Sequence, residues 1–161
     1  MSTDLNSDMK LEEVAKKDIH LFSEFLQESN PEVKTNAIYV LSKLGEEDPL
    51  SVVKFVDILF SLLEDDDEGV RSAAVATLAT LGDSMPDAIQ SGVDKFFKLF
   101  DDNNLNIRRN ASYALALIGE DHPELVGEAV AKLIYYLKNG SDIIRANAAC
   151  SLALFARGNP A

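Results

Sequence analysis

Histidine and cysteine, which often perform acid-base or nucleophilic chemistry, are few in this 161-residue chain. The two histidines, His20 and His122, lie 102 residues apart, and neither has a cysteine, serine or second histidine at the spacing of a catalytic triad or a metal site. The single cysteine, Cys150, cannot form an internal disulfide or a thiolate metal site. We therefore expect no catalytic residues, no metal site and no bound cofactor.

An acidic run from Glu64 to Glu68, followed by Gly69, has the composition of a calcium-binding loop. When Gly69 is aligned with the invariant glycine of such a loop, Val75 falls where a bidentate glutamate is required. We interpret the run as a solvated turn. The other acidic pairs also lie in turns, where no cleft would separate the pKa values of two carboxyl groups for acid-base work.

The elements that carry these residues follow a repeat of 37 residues. Several residue types keep this spacing: Val33, Val70, Ile107 and Ile144; Ala37, Ala74, Ala111 and Ala148; Leu41, Leu78, Leu115 and Leu152. Within each repeat the apolar residues recur at intervals of three and four, which is helical spacing. The sequence predicts an all-α fold of four two-helix repeats, eight helices in all, at residues 12–48, 49–85, 86–122 and 123–159. These form a single domain over residues 12–161, after a flexible tail at residues 1–11.

Residues at the helix ends repeat with the same period. Each of three first helices is predicted to begin with a proline, at Pro49, Pro86 and Pro123. Each second helix is preceded by a side chain that can cap its N-terminus: Asn30, Asp67, Asn104 and Ser141. We expect three of the second helices to end at glycines in the left-handed conformation: Gly45, Gly82 and Gly119.

The second-helix pattern V-R-x-x-A-x-x-x-L-x-x-L-G, with an acid before the turn, resembles the HEAT repeat family, in particular its phycobilisome-lyase-like members. The resemblance covers residues 12–159. It implies a right-handed α-solenoid whose second helices line the concave side and whose first helices form the convex side. It also implies a structural ladder of acids and bases through the stack: Asp65, Asp102, Arg71, Arg108 and Arg145, with Glu28 and Lys34 as weaker members.

The charge balance restricts the partners. The chain has 27 acidic and 15 basic residues, a net charge of −12, which repels nucleic acid and anionic lipid. It has no apolar run of the roughly 20 residues that cross a bilayer and no secretory signal, so we expect a cytoplasmic protein that binds neither membrane nor nucleic acid. The acidic turns would attract a partner with a basic surface. Alternatively, they cap helices and maintain solubility.

Polar and aromatic side chains recur at the predicted solvent-facing positions of the second helices. We hypothesise that they line a protein-binding groove on the concave face: Asn36, Tyr39, Arg109, Asn110, Tyr113 and Asn147. Asparagine amides can pair with an extended backbone, and tyrosine rings supply flat apolar contact with a polar tip. The alternative is structural, with the asparagines bonded to neighbouring turns and the tyrosines packed between repeats.

These observations favour a non-catalytic scaffold or adaptor that binds a partner protein or peptide. Because related solenoid proteins attach bilins to partner proteins, a bilin-lyase-type subunit or a cofactor chaperone is the alternative. The last helix is unusually apolar for a terminal repeat, with Ile143, Ala149, Leu154 and Phe155 and few charges. We expect this edge to be covered by a second copy in a homodimer, by a partner, or by a continuation of the array.

Overall fold

The computed structural model describes residue 15, residues 17–121 and residues 123–158, and among these it contains helices and no strand. The predicted all-α fold is confirmed. The α-helices are α1 (Ile19–Leu26), α2 (Pro31–Glu47), α3 (Pro49–Val53), α4 (Val56–Leu62), α5 (Glu68–Ser84), α6 (Pro86–Ile89), α7 (Val93–Lys98), α8 (Leu105–Asp121), α9 (Pro123–Asn139) and α10 (Asp142–Gly158). Short 3-10 helices cover Gln90–Gly92 and Leu99–Asp101. The predicted tail at residues 1–11 lies outside the described residues.

The chain divides into two compact units, residues 1–81 and 82–161, with the boundary inside α5. In the first unit, α1 packs on α2, and the rings of Phe22 and Phe55 meet edge to face with centroids 5.4 Å apart. In the second unit, α10 packs against α8 and α9 around a core that includes Phe96 and Phe100. The prediction of a single domain over residues 12–161 stays a prediction.

The predicted N-caps of the second helices are confirmed. Side-chain oxygens of the four capping residues accept backbone N–H groups in the first turn of α2, α5, α8 and α10 respectively. The backbone N–H of Glu32 donates to Asn30 at 2.9 Å, that of Val70 to Asp67 at 3.0 Å, that of Asn106 to Asn104 at 2.7 Å, and that of Ile144 to Ser141 at 3.4 Å. Each bond satisfies one backbone donor that the helix cannot pair internally, which defines where the helix begins.

The prediction that glycines end the second helices is wrong. The helices continue beyond Gly45, Gly82 and Gly119 to Glu47, Ser84 and Asp121. No glycine among the described residues has a positive φ. At Gly82 the reason for glycine is instead the close approach of α6, because a Cβ there would lie 2.3 Å from Cδ1 of the buried Ile89.

The first helices of the second and third repeats are interrupted, so there are more helices than the eight predicted. The interruptions fall at Phe55, which precedes α4, and at Gly92, which precedes α7. Asp18, the N-cap of α1, is the equivalent residue of the first repeat. The fourth repeat has Ala129 at this position, and α9 is unbroken. Alanine has the highest helix propensity of any residue and glycine one of the lowest, which accounts for the contrast between Ala129 and Gly92.

Candidate protein-binding surface

Two tyrosines at the same position of their repeats are exposed on second helices. Tyr39 on α2 is 57% exposed and belongs to the first unit, and Tyr113 on α8 is 43% exposed and belongs to the second. The ammonium of Lys43, one turn after Tyr39, lies 5.8 Å from the centroid of its ring. The Tyr113 hydroxyl donates to Asp83 at 3.4 Å. Both rings therefore present an accessible aromatic face beside a charged group.

Arg109 and Asn110 lie on α8 with Tyr113, and α8 places all three within one turn of each other. The side chain of Arg109 is exposed and that of Asn110 is half-buried. In the first unit, the exposed Asn36 lines a surface hollow of about 170 Å³ together with Phe25, Val33 and Ala37. The structure thus brings Asn36 and Tyr39 together on α2, and Arg109, Asn110 and Tyr113 together on α8.

Asn147 occupies the same repeat position as Asn36 and Asn110 but has a different environment. Its side chain is buried, and its amide nitrogen donates to the backbone carbonyl of Phe100 at 2.9 Å. Phe100 lies in the turn that follows the first helix of the preceding repeat. For this asparagine, the contact is the one described by the structural alternative, a hydrogen bond to a neighbouring turn.

A base from one repeat and an acid from the next form a largely buried ion pair in the first unit. The Lys34 ammonium on α2 donates to the Asp65 carboxylate in the turn before α5, and their side chains are only 16% and 12% exposed. Burial alone would raise the pKa of Asp65. The hydrogen bonds from Lys34 and the Asp67 backbone, with the charges of Lys34 and Arg71, outweigh burial and lower that pKa.

The arginines of the second and third repeats bond to the turns that precede their own helices. Arg71 Nη1 donates to the carbonyls of Asp65 and Asp66 at 2.8 and 3.1 Å. Arg108 Nη1 donates to the carbonyls of Asp102 and Asn103 at 2.7 and 3.0 Å. These contacts repeat the same geometry 37 residues apart and hold the turn against the helix. They support the structural role that the HEAT resemblance implies for these arginines.

Several turn acids also have local structural contacts. The carboxylates of Asp65, Asp67 and Asp102 accept backbone N–H groups at 2.9 to 3.0 Å, whereas Asp66 and Glu68 are exposed. The acidic turns therefore combine helix capping with accessible negative charge.

One pair on first helices was not anticipated from the sequence. Lys132 on α9 donates to the Asp94 carboxylate on α7 at 2.6 Å, and its ammonium lies 4.5 Å from the centroid of the Phe97 ring. The hydrogen bond and the charge of Lys132 lower the pKa of Asp94. Asp94 and Lys132 are 38 residues apart, close to the repeat period, and this spacing is a signal that could have revealed the contact.

His20, Glu24 and Glu28 line one open hollow at the surface of the first unit. His20 Nδ1 lies 3.6 Å from the Glu24 carboxylate, one turn away on α1, and both side chains are highly exposed. His122 lies outside the described residues. Within the described ranges, no three histidine, cysteine or acidic residues are grouped closely enough to hold a metal ion. Nor does any helix in those ranges combine the length and apolar character needed to cross a bilayer.

Comparison with known families decides the class of helical repeat. Residues 10–143 match the family described as the adaptin N-terminal region. The chain belongs to this family. It is therefore a HEAT- or armadillo-like repeat protein, and the narrower resemblance to phycobilisome-lyase-like repeats stays a prediction. No curated protein sequence matches the chain.

Solved structures agree on the fold. An engineered protein aligns with 99% of this chain and 77% of its own at 21% identity, with a TM-score of 0.68. A designed armadillo repeat protein in complex with the peptide (KR)4 aligns with 96% of this chain and 76% of its own at 20% identity, with a TM-score of 0.66. A second engineered protein aligns with 99% of this chain but 46% of its own at 21% identity, with a TM-score of 0.69. The fold class is that of an α-solenoid of two-helix repeats.

Proposed function

We propose that this chain is a non-catalytic scaffold whose second helices bind a partner protein or peptide, on the side that the HEAT resemblance assigns to the concave face. The observation that carries the proposal is the exposure of Tyr39 and Tyr113 at equivalent positions of two repeats. Large aromatic side chains that remain accessible in a folded repeat protein are the residue type most enriched at the centres of binding interfaces.

The chemistry around the two tyrosines suits an extended polypeptide. Each ring offers rigid apolar area and a hydroxyl at little cost in side-chain entropy. Asn36 beside Tyr39, and Arg109 beside Tyr113, add hydrogen-bonding groups to the two sites. Asn110 is half-buried and contributes less accessible surface. We leave Asn147 out of the proposed surface because its amide already bonds to the Phe100 carbonyl.

A partner with a basic surface fits the charge of the chain. The net charge of −12 and the exposed acids of the turns would accelerate the encounter with such a partner in a salt-dependent manner. The designed armadillo repeat protein with a similar fold was solved with the peptide (KR)4, which makes this peptide a suitable first probe.

Titration with (KR)4, and with a partner recovered by affinity purification, tests the proposal. The double variant Tyr39→Ala/Tyr113→Ala is expected to weaken binding of the partner at least tenfold, since losing two exposed aromatic contacts removes about 1.4 kcal/mol or more. Its melting temperature should stay close to that of the parent. The matched control is Tyr135→Ala, which removes a tyrosine that is also exposed but lies on the first helix α9.

Two outcomes would contradict this assignment. Unchanged partner affinity with a lowered melting temperature would mean that the tyrosines pack between repeats. Equal losses of affinity in the double variant and in Tyr135→Ala would place binding elsewhere. Recovery of a bound pigment instead of a protein complex would support the bilin-lyase or cofactor-chaperone alternative.

A further inference from the structure

The last helix exposes positions that are covered in the other repeats. Ala149 is exposed, whereas its equivalents are buried: Ile38, Val75 and Ser112. Ala156 is exposed, whereas Gly45 and Gly82 are buried, and Arg145 is exposed, whereas Lys34, Arg71 and Arg108 are half-buried. Residues 145, 149 and 156 lie on one stripe of α10 because they are separated by four and seven positions. We call this stripe the C-terminal edge.

The first repeat shows the complementary difference. Val33 is partly exposed, whereas its equivalents Val70 and Ile107 are fully buried. Glu28 is exposed, whereas Asp65 and Asp102 are half-buried, and Phe25 is half-buried, whereas Leu62 and Leu99 are buried. We call Phe25, Glu28, Val33 and Asn36 the N-terminal edge. Phe25, Val33 and Asn36 line the hollow of about 170 Å³ described above.

Two contacts within the chain show how one repeat is joined to the next. In the first unit, Lys34 of one repeat pairs with Asp65 of the following repeat. In the second unit, Asn147 donates to the Phe100 carbonyl of the preceding repeat. Shifting the residue numbers of each contact by multiples of 37 gives the equivalent contact between the last repeat of one copy and the first repeat of another. The first then joins Arg145 to Glu28 of another copy, and the second joins Asn36 of that copy to the carbonyl of Leu137. Asn36 is then available to a protein partner only in a molecule whose N-terminal edge is not bound to another copy.

We propose that the C-terminal edge of one molecule binds the N-terminal edge of a second copy, head to tail, in the register of the internal repeats. The charges are complementary: Arg145 is 57% exposed and lies 3.4 Å from Asp142, and the exposed Glu28 carboxylate accepts hydrogen bonds from the adjacent Ser29. Leu137 lies in the last turn of α9, where backbone carbonyls have no intrahelical N–H partner. Ala149 would cover the hollow beside Val33.

This head-to-tail arrangement is different from a symmetric dimer in which the last helices of two copies pack together. Each molecule would use two different surfaces, so association continues beyond two copies unless a ring closes. The average mass should therefore rise steadily with concentration. The net charge of −12 on every copy opposes contact, and the measurement belongs at an ionic strength near 0.15 M, where the Debye length is about 8 Å.

Sedimentation equilibrium over a concentration series of the full chain tests the proposal through charge reversal. Glu28→Arg and Arg145→Glu should each weaken self-association about tenfold, because each opposes like charges at the edge. An equimolar mixture of the two variants should associate again, and so should the double variant Glu28→Arg/Arg145→Glu. Both residues are exposed, so folding should be preserved in every case.

A matched pair of variants distinguishes association in the register of the repeats from non-specific association through apolar surface. Ala149→Glu should weaken self-association, since it places a carboxylate against the hollow. Ile143→Glu makes the same change of charge at a position whose equivalents are exposed in all four repeats, and it should leave self-association unchanged. A parent protein that stays monomeric up to millimolar concentration overturns the proposal. A dimer weakened by Arg145→Glu but not by Glu28→Arg would identify a symmetric interface and also overturn it.

Discussion

Replacing Lys34 by methionine isolates the ion pair that joins the first two repeats. The variant keeps most of the side-chain length but leaves the Asp65 carboxylate with one fewer hydrogen bond and one fewer positive neighbour. Because both side chains are largely buried, the pair exceeds the 0 to 1 kcal/mol typical of a surface pair. A lost charge-assisted hydrogen bond at a largely but not fully buried site costs about 2 kcal/mol.

The loss of stability caused by Lys34→Met should depend on pH in a defined direction. The folded-state pKa of Asp65 lies below its ordinary value of 3.8, so the folded state favours the ionised carboxylate. The resulting stability is present above the unfolded-state pKa and is lost as pH falls through the folded-state pKa. Lys34→Met removes part of this contribution. The difference in the free energy of unfolding between parent and variant should therefore be full at pH 7 and shrink as the pH falls through the folded-state pKa values of Asp65 in the two proteins.

Urea denaturation of the parent and of Lys34→Met at pH 7 and at several values between pH 4.5 and 3 measures this difference. Lys132→Met is the matched control, because Lys132 pairs with an Asp94 side chain that is 85% exposed, and it should cost less than about 1 kcal/mol. A difference below about 0.5 kcal/mol for Lys34→Met at pH 7 would refute the argument. So would a difference that grows as the pH is lowered.

Two further predictions concern backbone contacts and glycine positions. Asn147→Ala should lower the free energy of unfolding by about 1 to 2 kcal/mol, because the Phe100 carbonyl loses a buried donor; an unchanged urea midpoint would contradict this. Gly82→Ala should destabilise by about 1 to 3 kcal/mol, since the new Cβ meets the buried Ile89. Gly127→Ala should instead stabilise by up to about 1 kcal/mol, because a Cβ there meets no atom within 4 Å and alanine favours the helix. Thermal denaturation of both glycine variants checks their opposite signs.

The repeat register could be predicted from the sequence because it depends on local chemistry. A capping side chain such as Asn30 acts on backbone groups two or three residues away, so its role is visible in the sequence. Glycine has more than one structural use. At Gly82 the side chain of Ile89, seven residues later, approaches closely, and a sequence pattern does not distinguish this from a helix end.

At the candidate site, too, some features could be predicted from the sequence and others could not. Tyr39 and Tyr113 were predicted to be solvent-facing from helical spacing alone, and both are exposed. Asn36 and Asn147 occupy equivalent positions, yet one is exposed and the other is buried against the Phe100 carbonyl. Asn147 is buried because its amide meets the Phe100 carbonyl of the preceding repeat, a tertiary contact that the identity of the residue does not encode.

The interruption at Phe55 and Gly92 bears on how the chain acquires its structure. Helical segments of four to seven residues, such as α3, α4, α6 and α7, are too short to persist alone, because helix nucleation is costly and few bonds follow it. The 17-residue helices α2, α5, α8, α9 and α10 are long enough to form transiently without partners. We expect these to be the earliest ordered segments during refolding, with the broken helices condensing onto them, and pulsed hydrogen exchange should show protection of their amides first.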